Sequence, residues 1–259
     1  MNKWLETLIT FVYPAKCQCC KVPMAVDRVH YICDECWEKI EPLVPPWCEI
    51  CGMPVHFVKA NSVNHAYICV DCRAQLPLYD KLRSIAFYEP TLREAIHLFK
   101  YDRKQIFAKH LIRFMCEHFP ADLSTEDYDL LLPIPLHHKR YRQRGFNQAE
   151  QIAQGIARIW KVPIDTEVLR RIRDTVPQSS LNSRQERVEN ITGAFEISSP
   201  EFIRDRKILL IDDIFTTGTT VNEALRVLNT AEAIGIDVLT LARARPSALK
   251  TSKLDMSRL

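Results

Sequence analysis

The run ILLIDDIFTTGTT, from Ile208 to Thr220, brings an apolar stretch up to two adjacent acids and follows them with a hydroxyl-rich turn around one glycine. Continuous apolar residues mark a strand covered on both faces, as in a parallel sheet. Asp212 and Asp213 are then expected at its carboxyl edge, where open α/β sheets bind ligands and where carboxylates can meet hydroxyls or a metal ion. Thr216, Thr217, Gly218, Thr219 and Thr220 lie between that strand and an expected helix, so backbone N–H groups and hydroxyls converge at a helix N-terminus. Such a cradle suits a phosphate, since three or four charge-assisted hydrogen bonds of about 1.5–3 kcal/mol each make a credible site. It lacks the lysine of an NTPase P-loop and the spacing of a GxGxxG fingerprint. Helix capping alone accounts for one threonine, but not for four of them abutting two acids.

A second charged stretch, LLPIPLHHKRYRQRGFNQ (Leu131–Gln148), leaves a strand end, carries Lys139, Arg140, Arg142 and Arg144, and opens a helix at about Phe146. Cations there can balance negative charge building on a departing anion; a solvated basic loop is the plainer reading of such a run. Ten cysteines supply the third feature. Eight form CxxC pairs: Cys17 with Cys20, Cys33 with Cys36, Cys48 with Cys51, and Cys69 with Cys72. This is zinc spacing, and two pairs complete a closed tetrahedral shell with no place for a catalytic water. Intervals of 12 and 17 residues within successive couples suit two consecutive four-cysteine sites, with cross-braced pairing as the alternative. Cys19 and Cys116 are left as ordinary thiols. No βαβ pattern surrounds the pairs, which argues against thioredoxin-like redox chemistry. A small proline-rich segment needs such staples to fold, so the zinc is expected to be structural.

The elements that must position these residues follow from periodicity. Leu82–Tyr88 and Tyr128–Leu132 read as strands, and Ile236–Leu241 as the last one. Leu92, Ala95, Ile96 and Phe99 keep helical spacing, and Ile106–His118 reads as a second helix ended by Pro120. Ala149, Ile152, Ala153, Ile156 and Ile159 give the helix from Phe146 to Trp160 one apolar face. Val221, Ala224, Leu225 and Leu228 do the same after the threonine turn, while Arg170–Gly193 is a long polar interval. Strands alternating with helices predict a parallel sheet. The 259 residues allow one ordinary domain plus a smaller one. A formal charge of +3 is too small to announce a nucleic-acid protein. No run approaches the roughly 18 apolar residues of a membrane span. Trp4–Tyr13 is interrupted by Glu6 and has no small-residue cleavage site after it, so it reads as a packing helix and not a signal peptide.

Ile208–Thr220 resembles the signature with which type I phosphoribosyltransferases bind phosphoribosyl pyrophosphate (PRPP). That resemblance implies that Asp212 and Asp213 take the ribose hydroxyls and Thr216, Thr217, Gly218, Thr219 and Thr220 the 5'-phosphate. Lys139, Arg140 and Arg144 would then draw off pyrophosphate with Mg²⁺, making Asp212, Asp213, Arg140 and Arg144 the catalytic set. The four CxxC pairs, RQRGFNQAE, RDTVPQSSLNSRQERVENITGAF (Arg173–Phe195) and LLIDDIFTTGTT occur together and in that order in the ComF (ComFC/GntX-like) family of competence-associated proteins. The resemblance covers nearly the whole chain. It implies a type I phosphoribosyltransferase-like α/β fold, a mainly parallel sheet flanked by helices, over residues 79–259, and a small N-terminal helix and zinc-ribbon domain over 1–78. Arg173–Phe195 would hold a mobile loop with Thr175, Gln178, Leu181, Arg184, Arg187 and Asn190, closing to exclude water; a long exposed connection is the alternative.

The resemblance further implies a cytoplasmic protein of natural transformation that handles incoming single-stranded DNA, beside a competence helicase or another DNA-uptake protein met through the zinc domain. His137–Arg144 and the Arg170, Arg171, Arg173 cluster suit strand phosphates, and Tyr141 and Phe146 suit base stacking. Two classes of function fit: a working transferase, in nucleobase salvage or another phosphoribosylation, and a binding module that keeps the donor pocket. The difference lies in the acceptor site, and the polar stretch Arg243–Leu259 offers no base-reading residues.

Overall fold

The computed structural model describes residues 15–24, 31–55, 67–101, 106–176, 181 and 183–245. The expected helix at Trp4–Tyr13, Gln178 and the tail beyond 245 lie outside them. In chain order, β1 (Ala15–Lys16) and β2 (Pro23–Met24) form an antiparallel pair, and α1 (Asp34–Glu38) and α2 (Val70–Ala74) follow the first CxxC pair of each cysteine group. Then come β3 (Leu82–Phe87), α3 (Pro90–Tyr101), α4 (Ile106–Glu117), β4 (Leu130–Pro133), α5 (His138–Arg144), α6 (Gln148–Trp160) and β5 (Leu169–Arg171). The remaining elements are α7 (Arg184–Ile191), β6 (Phe195–Ile197), β7 (Lys207–Phe215), α8 (Thr219–Thr230) and β8 (Gly235–Arg243).

A parallel sheet in the order β3-β8-β7-β4 is the centre of the molecule. Its apolar runs are explained by covering on both faces. On one face Leu209, Ile211, Leu239 and Leu241 pack with α3, α4 and α6; on the other Ile208, Leu210, Ile236 and Val238 pack with α8 and the β5-β6 hairpin. Register pairs Ile208 with Leu130 on one side and with Ile236 on the other, which puts β7 inside the sheet.

Several expectations shift in detail. β7 does not end at Ile211 but carries both acids and continues to Phe215, because β8 keeps pairing with it as far as Arg243. β4 begins at Leu130; Tyr128 is used instead as a buried donor to Asp237 Oδ2 at 2.8 Å. On α6, Ala149, Ile152, Ala153 and Ile156 are buried as the spacing predicts, but Ile159 is 56% exposed in the last turn. The polar interval 170–193 is not a bare connection. It holds β5, antiparallel to β6, and α7, whose start is a capping box between Ser183 and Glu186. Hydrophobic periodicity is blind to such an element, because its stability comes from caps and side-chain clasps.

The cysteine-rich region is packed onto the sheet. Cys17, Ile32, Cys36 and Ile40 share a core with α3 and α4, and Cys48, Cys51 and Cys72 share one with Leu82. Two arginines from the sheet fasten the second cysteine group through its backbone. Arg83 of β3, 1% exposed, donates from Nη2 to Glu49 O at 2.8 Å and to Asp122 Oδ2 at 2.5 Å, and from Nη1 to Leu82 O at 2.8 Å. Its guanidinium lies 5.2 Å from the Trp47 ring centre. Arg243, at the end of β8, donates from Nη1 to Cys51 O at 2.6 Å.

A buried guanidinium needs its counter-charge, and removing one partner of a buried pair costs about 3–5 kcal/mol. Asp122 is partly exposed and Arg83 keeps its carbonyl acceptors, so Asp122→Asn is expected at the lower end, about 3 kcal/mol. Urea unfolding in the presence of zinc measures this; a midpoint equal to that of wild type would remove Arg83–Asp122 as a fastening.

Candidate functional site

The carboxyl ends of β4 and β7 open into a cleft of about 230 Å³ lined by Lys100, Arg140, Arg144, Arg171, Asp212, Asp213, Thr216 and Thr220, with Asn147 and Gln148. Acids, arginines and threonines that are far apart in the chain therefore share one space. Both acids line the cleft, and their carboxyls are close enough to act on each other. Asp213 pairs with Lys100 from the end of α3. Asp212 Oδ1 accepts from the Asp213 backbone N–H at 2.8 Å. Burial, and then the Asp213 charge, push the Asp212 carboxyl up to about 8. Burial and the neighbouring acid thus favour the protonated form of Asp212, while Asp213 is engaged by Lys100.

Beyond the acids, the chain turns at Gly218, whose φ of +74° opens α8. A side chain there would have its Cβ 2.8 Å from the Phe215 ring, so both the left-handed backbone and the packing call for glycine. The threonines divide between two spaces. Thr216 and Thr220 line the cleft; Thr217, whose hydroxyl lies 3.2 Å from that of the buried Thr219, lines a separate cavity of about 800 Å³. That larger cavity lies between the second cysteine group and the turn, and Arg243, Phe215, Tyr79, Asn222 and Leu78 contribute to its wall. The turn at the start of α8 therefore stands between two open volumes.

The basic stretch is a helix and not the expected loop, and helicity sorts its charges. Arg140 and Arg144, four apart and on one side of α5, are half-buried and line the cleft. Lys139 and Arg142 face solvent, with Lys139 Nζ 3.1 Å from Asp174 Oδ2. Gly145, at φ +84°, ends the helix in the left-handed region. Asn147 then caps α6, accepting from Ala149 N at 3.1 Å and donating to Ile134 O at 3.0 Å, which ties the helix start to the end of β4. Phe146 is buried against Phe99, so it is not available for base stacking; Tyr141 is exposed.

Residues expected in a mobile loop have mixed placements. Thr175 is buried and accepts from Arg140 and Arg171. Asn190 clasps Val176, donating to its carbonyl at 3.0 Å and accepting from its N–H at 3.1 Å, and Arg187 Nη2 donates to Leu181 O at 2.9 Å. Arg184 is the first residue of α7. Four cleft residues were not singled out from sequence: Lys100, Asn147, Gln148 and, as a cleft residue, Arg171. Asn147 and Gln148 stand in the quoted GFNQ run and were within reach. Lys100 is one basic residue at a helix end, and nothing local marks it.

Eight cysteines assemble as two groups in chain order, Cys17, Cys20, Cys33 and Cys36, then Cys48, Cys51, Cys69 and Cys72, and not in the cross-braced order. Sulfur separations of 3.8 Å for Cys17 and Cys36, 3.6 Å for Cys20 and Cys33, and 3.7 Å for Cys51 and Cys69 match tetrahedral zinc, whose ~2.3 Å bonds set sulfurs about 3.8 Å apart. The two groups repeat one local geometry. Cys33 N–H donates to Cys17 Sγ at 3.4 Å, and Cys69 N–H to Cys48 Sγ at 3.3 Å. Burial raises the Cys17 and Cys48 thiols, but backbone N–H groups outweigh it and hold them down at about 6 and about 7. Four sulfurs around each centre close the shell, which suits structural zinc. Cys19, by contrast, is pushed up to about 11 by burial and the neighbouring Cys17, as an ordinary thiol.

Comparison with known proteins agrees with this two-part composition. Residues 8–73 match the double zinc ribbon domain family and residues 143–258 the phosphoribosyl transferase domain family. The chain is 30% identical to competence protein F of Haemophilus influenzae over 218 residues, covering 82% of this chain and 90% of that protein. It is 29% identical to the DNA utilization protein YhgH of Escherichia coli K12 over 235 residues, covering 89% and 97%. Among solved structures it is similar to the glutamine PRPP amidotransferase of B. subtilis, with a TM-score of 0.35 and 16% identity over 51% of this chain and 25% of that one.

The state of Asp212 has a measurable consequence for stability. Its folded pKa lies above the unfolded carboxyl value, so the stability it contributes is full below the unfolded pKa and is lost as pH rises through about 8. Asp212→Asn, which cannot ionise, is expected to raise the melting temperature at pH 9 and to change it little at pH 5. An equal shift at both pH values would mean that Asp212 is ionised throughout.

Proposed function

The chain belongs to the competence protein F (ComF) family, and from that premise we propose that it is a protein of DNA uptake that binds PRPP at the β4-β7 cleft and handles incoming single-stranded DNA in the cytoplasm. The observation that carries the PRPP reading is the convergence of Asp212 and Asp213 with Thr216 and Thr220 of the turn and with Arg140 and Arg144 in one cleft. A phosphoribosyl donor presents a vicinal diol, a terminal phosphate and a diphosphate, and those three groups of residues match it part by part. Asp212 and Asp213 take the diol, the backbone N–H groups at the start of α8 take the 5'-phosphate, and the arginines take the diphosphate. Mg²⁺, arriving with the donor, supplies further neutralising charge. Lys100, paired with Asp213, holds that carboxylate in place before the ligand enters. The unit 79–259 supplies this site, and the segment 1–78, stiffened by zinc, is the part that meets a partner of the uptake machinery.

A working transferase is the second reading. What favours it is the 800 Å³ cavity across the turn, which has apolar walls, the Phe215 and Tyr79 rings and the polar groups of Arg243 and Asn222, and so has room for an acceptor. Following pyrophosphate release from PRPP in the presence of nucleobases or short DNA separates the transferase from the binder.

Calorimetric titration with PRPP and Mg²⁺ tests the site. Replacing both acids, Asp212→Asn with Asp213→Asn, is expected to weaken binding at least about 10-fold, from the lost charge-assisted contact of Asp213 and the altered contact of Asp212; affinity equal to wild type refutes the assignment. For DNA, the exposed pair Lys139 and Arg142 replaces the wider basic run as the phosphate-tracking candidate. Changing both to alanine is expected to reduce the slope of log affinity against log salt for a single-stranded oligonucleotide by about 1.4, near 0.7 for each phosphate contact. An unchanged slope places the strand elsewhere.

A further inference from the structure

The larger cavity, of about 800 Å³, shares no described lining residue with the β4-β7 cleft, so its occupant need not be the donor. Phe215 and Arg243, at the ends of β7 and β8, meet there with Asn222 of α8, Asp71 of α2 and Gln75, which closes α2. Phe215 is partly exposed, and the Arg243 guanidinium lies 5.7 Å from its ring centre, so a ring and a charge form one wall. Arg243 is 4% exposed; its Nη1 donates to Cys51 O at 2.6 Å, but its Nε is buried and has no acceptor among the described residues. A buried donor without an acceptor is destabilising, and an oxygen or nitrogen brought beside it by a ligand removes that cost.

The charge of the walls narrows the class of occupant. Cys51, Cys69 and Cys72 also line the cavity, and zinc held by four thiolates keeps a net negative charge. Asp71 adds to it, and among the lining residues Arg243 alone opposes it. That balance disfavours a phosphate, whereas a purely apolar group leaves the Arg243 donor unmet. A flat, neutral heterocycle with carbonyl and amino groups at its edge meets both conditions. Its face stacks on Phe215, its acceptors face Arg243, and the amides of Asn222 and Gln75 complement donors and acceptors alike. We infer that this cavity seats one nucleobase of an incoming single strand, apart from the donor cleft. Such a seat rests on the DNA-handling reading given above and is independent of whether the donor reacts. Leu76 and Leu78, 74% and 48% exposed at the cavity wall, give the sugar beside the base an apolar rest, and the backbone phosphates stay in solvent.

Two signals from zinc-loaded protein test the seat. Anisotropy of an end-labelled oligothymidylate reads binding of the strand. Emission of a 2-aminopurine flanked by abasic sites, the one base its strand offers, reads burial of a base against an aromatic ring. Wild type is expected to quench the 2-aminopurine. Phe215→Leu is expected to abolish the quenching and to weaken oligothymidylate about 5- to 150-fold, the range for loss of one stacked base. Asn222→Ala, at an exposed helix position, is expected to weaken it about 2- to 10-fold, as one neutral hydrogen bond does. Neither change should alter the slope of log affinity against log salt, because the seat meets no phosphate. A strand with abasic sites in place of every thymine should bind wild type and both variants alike. Thymidine alone is expected to bind at least about tenfold more weakly than the strand, which gains phosphate contacts elsewhere; equal affinity makes a free nucleoside the occupant and overturns the strand reading. Should Phe215→Leu not fold, as read by its melting temperature, Asn222→Ala and the abasic strand carry the test. The seat is overturned if wild-type protein binds the 2-aminopurine strand without quenching, if both variants hold oligothymidylate as wild type does, or if the abasic strand loses as much to the variants as the thymine strand. If wild-type protein binds no single strand, the DNA-handling reading falls and the seat with it.

Discussion

Two neighbouring carboxylates at the end of a buried parallel strand repel each other, and the architecture around them is a response to that repulsion. Lys100 pairs with Asp213, and burial together with the neighbouring acid raises the carboxyl of Asp212. Titratable groups with perturbed charge states gather in clefts of this kind, where burial and close neighbours act on them together.

The zinc-ribbon region is tied to this same sheet and not tethered beside it. Cys17 and Cys36 contribute to the core beneath α3 and α4, and Arg83 and Arg243 reach from β3 and β8 to the carbonyls of Glu49 and Cys51. Arginines suit this task because a planar fork satisfies several carbonyl oxygens at once while the stem packs as an apolar chain. Arg243 connects the second cysteine group to the candidate site, since its guanidinium lies 5.7 Å from the ring of Phe215, the ring against which Gly218 must fit. The backbone of the second cysteine group and the backbone of the Gly218 turn are therefore linked through two side chains, Arg243 and Phe215.

The cleft itself is assembled from the ends of elements. Lys100 ends α3, Arg144 ends α5, Arg171 ends β5, Asn147 caps α6 and Thr220 is in the first turn of α8. Ends are where a parallel sheet leaves backbone groups and side chains free, while its interior is closed by packing. Arg140 shows the effect of local geometry most directly: one helical turn places it and Arg144 inward and leaves Lys139 and Arg142 in solvent, although all four look equivalent in a loop.

Patterns governed by short-range chemistry were legible from sequence. The CxxC spacing announces metal ligands because a tight turn brings thiolates three apart onto one ion; the apolar run Ile208–Ile211 announces a strand covered on both faces; and the threonine turn announces a helix start with free amides. The same local rules indicated a parallel α/β sheet and the buried faces of α6 and α8. Tertiary structure alone decided what depends on distance in space. It chose consecutive over cross-braced cysteine groups, extended β7 through both acids by pairing them with β8, and turned the basic run into a two-sided helix. It also brought Lys100 to Asp213 and Arg171 to Arg140. The physical reason is that a carboxylate's charge state and an arginine's partner are set by desolvation and by Coulomb interactions over a few ångströms, and residues separated by some thirty to more than a hundred positions become neighbours only when the sheet and its flanking helices close around them.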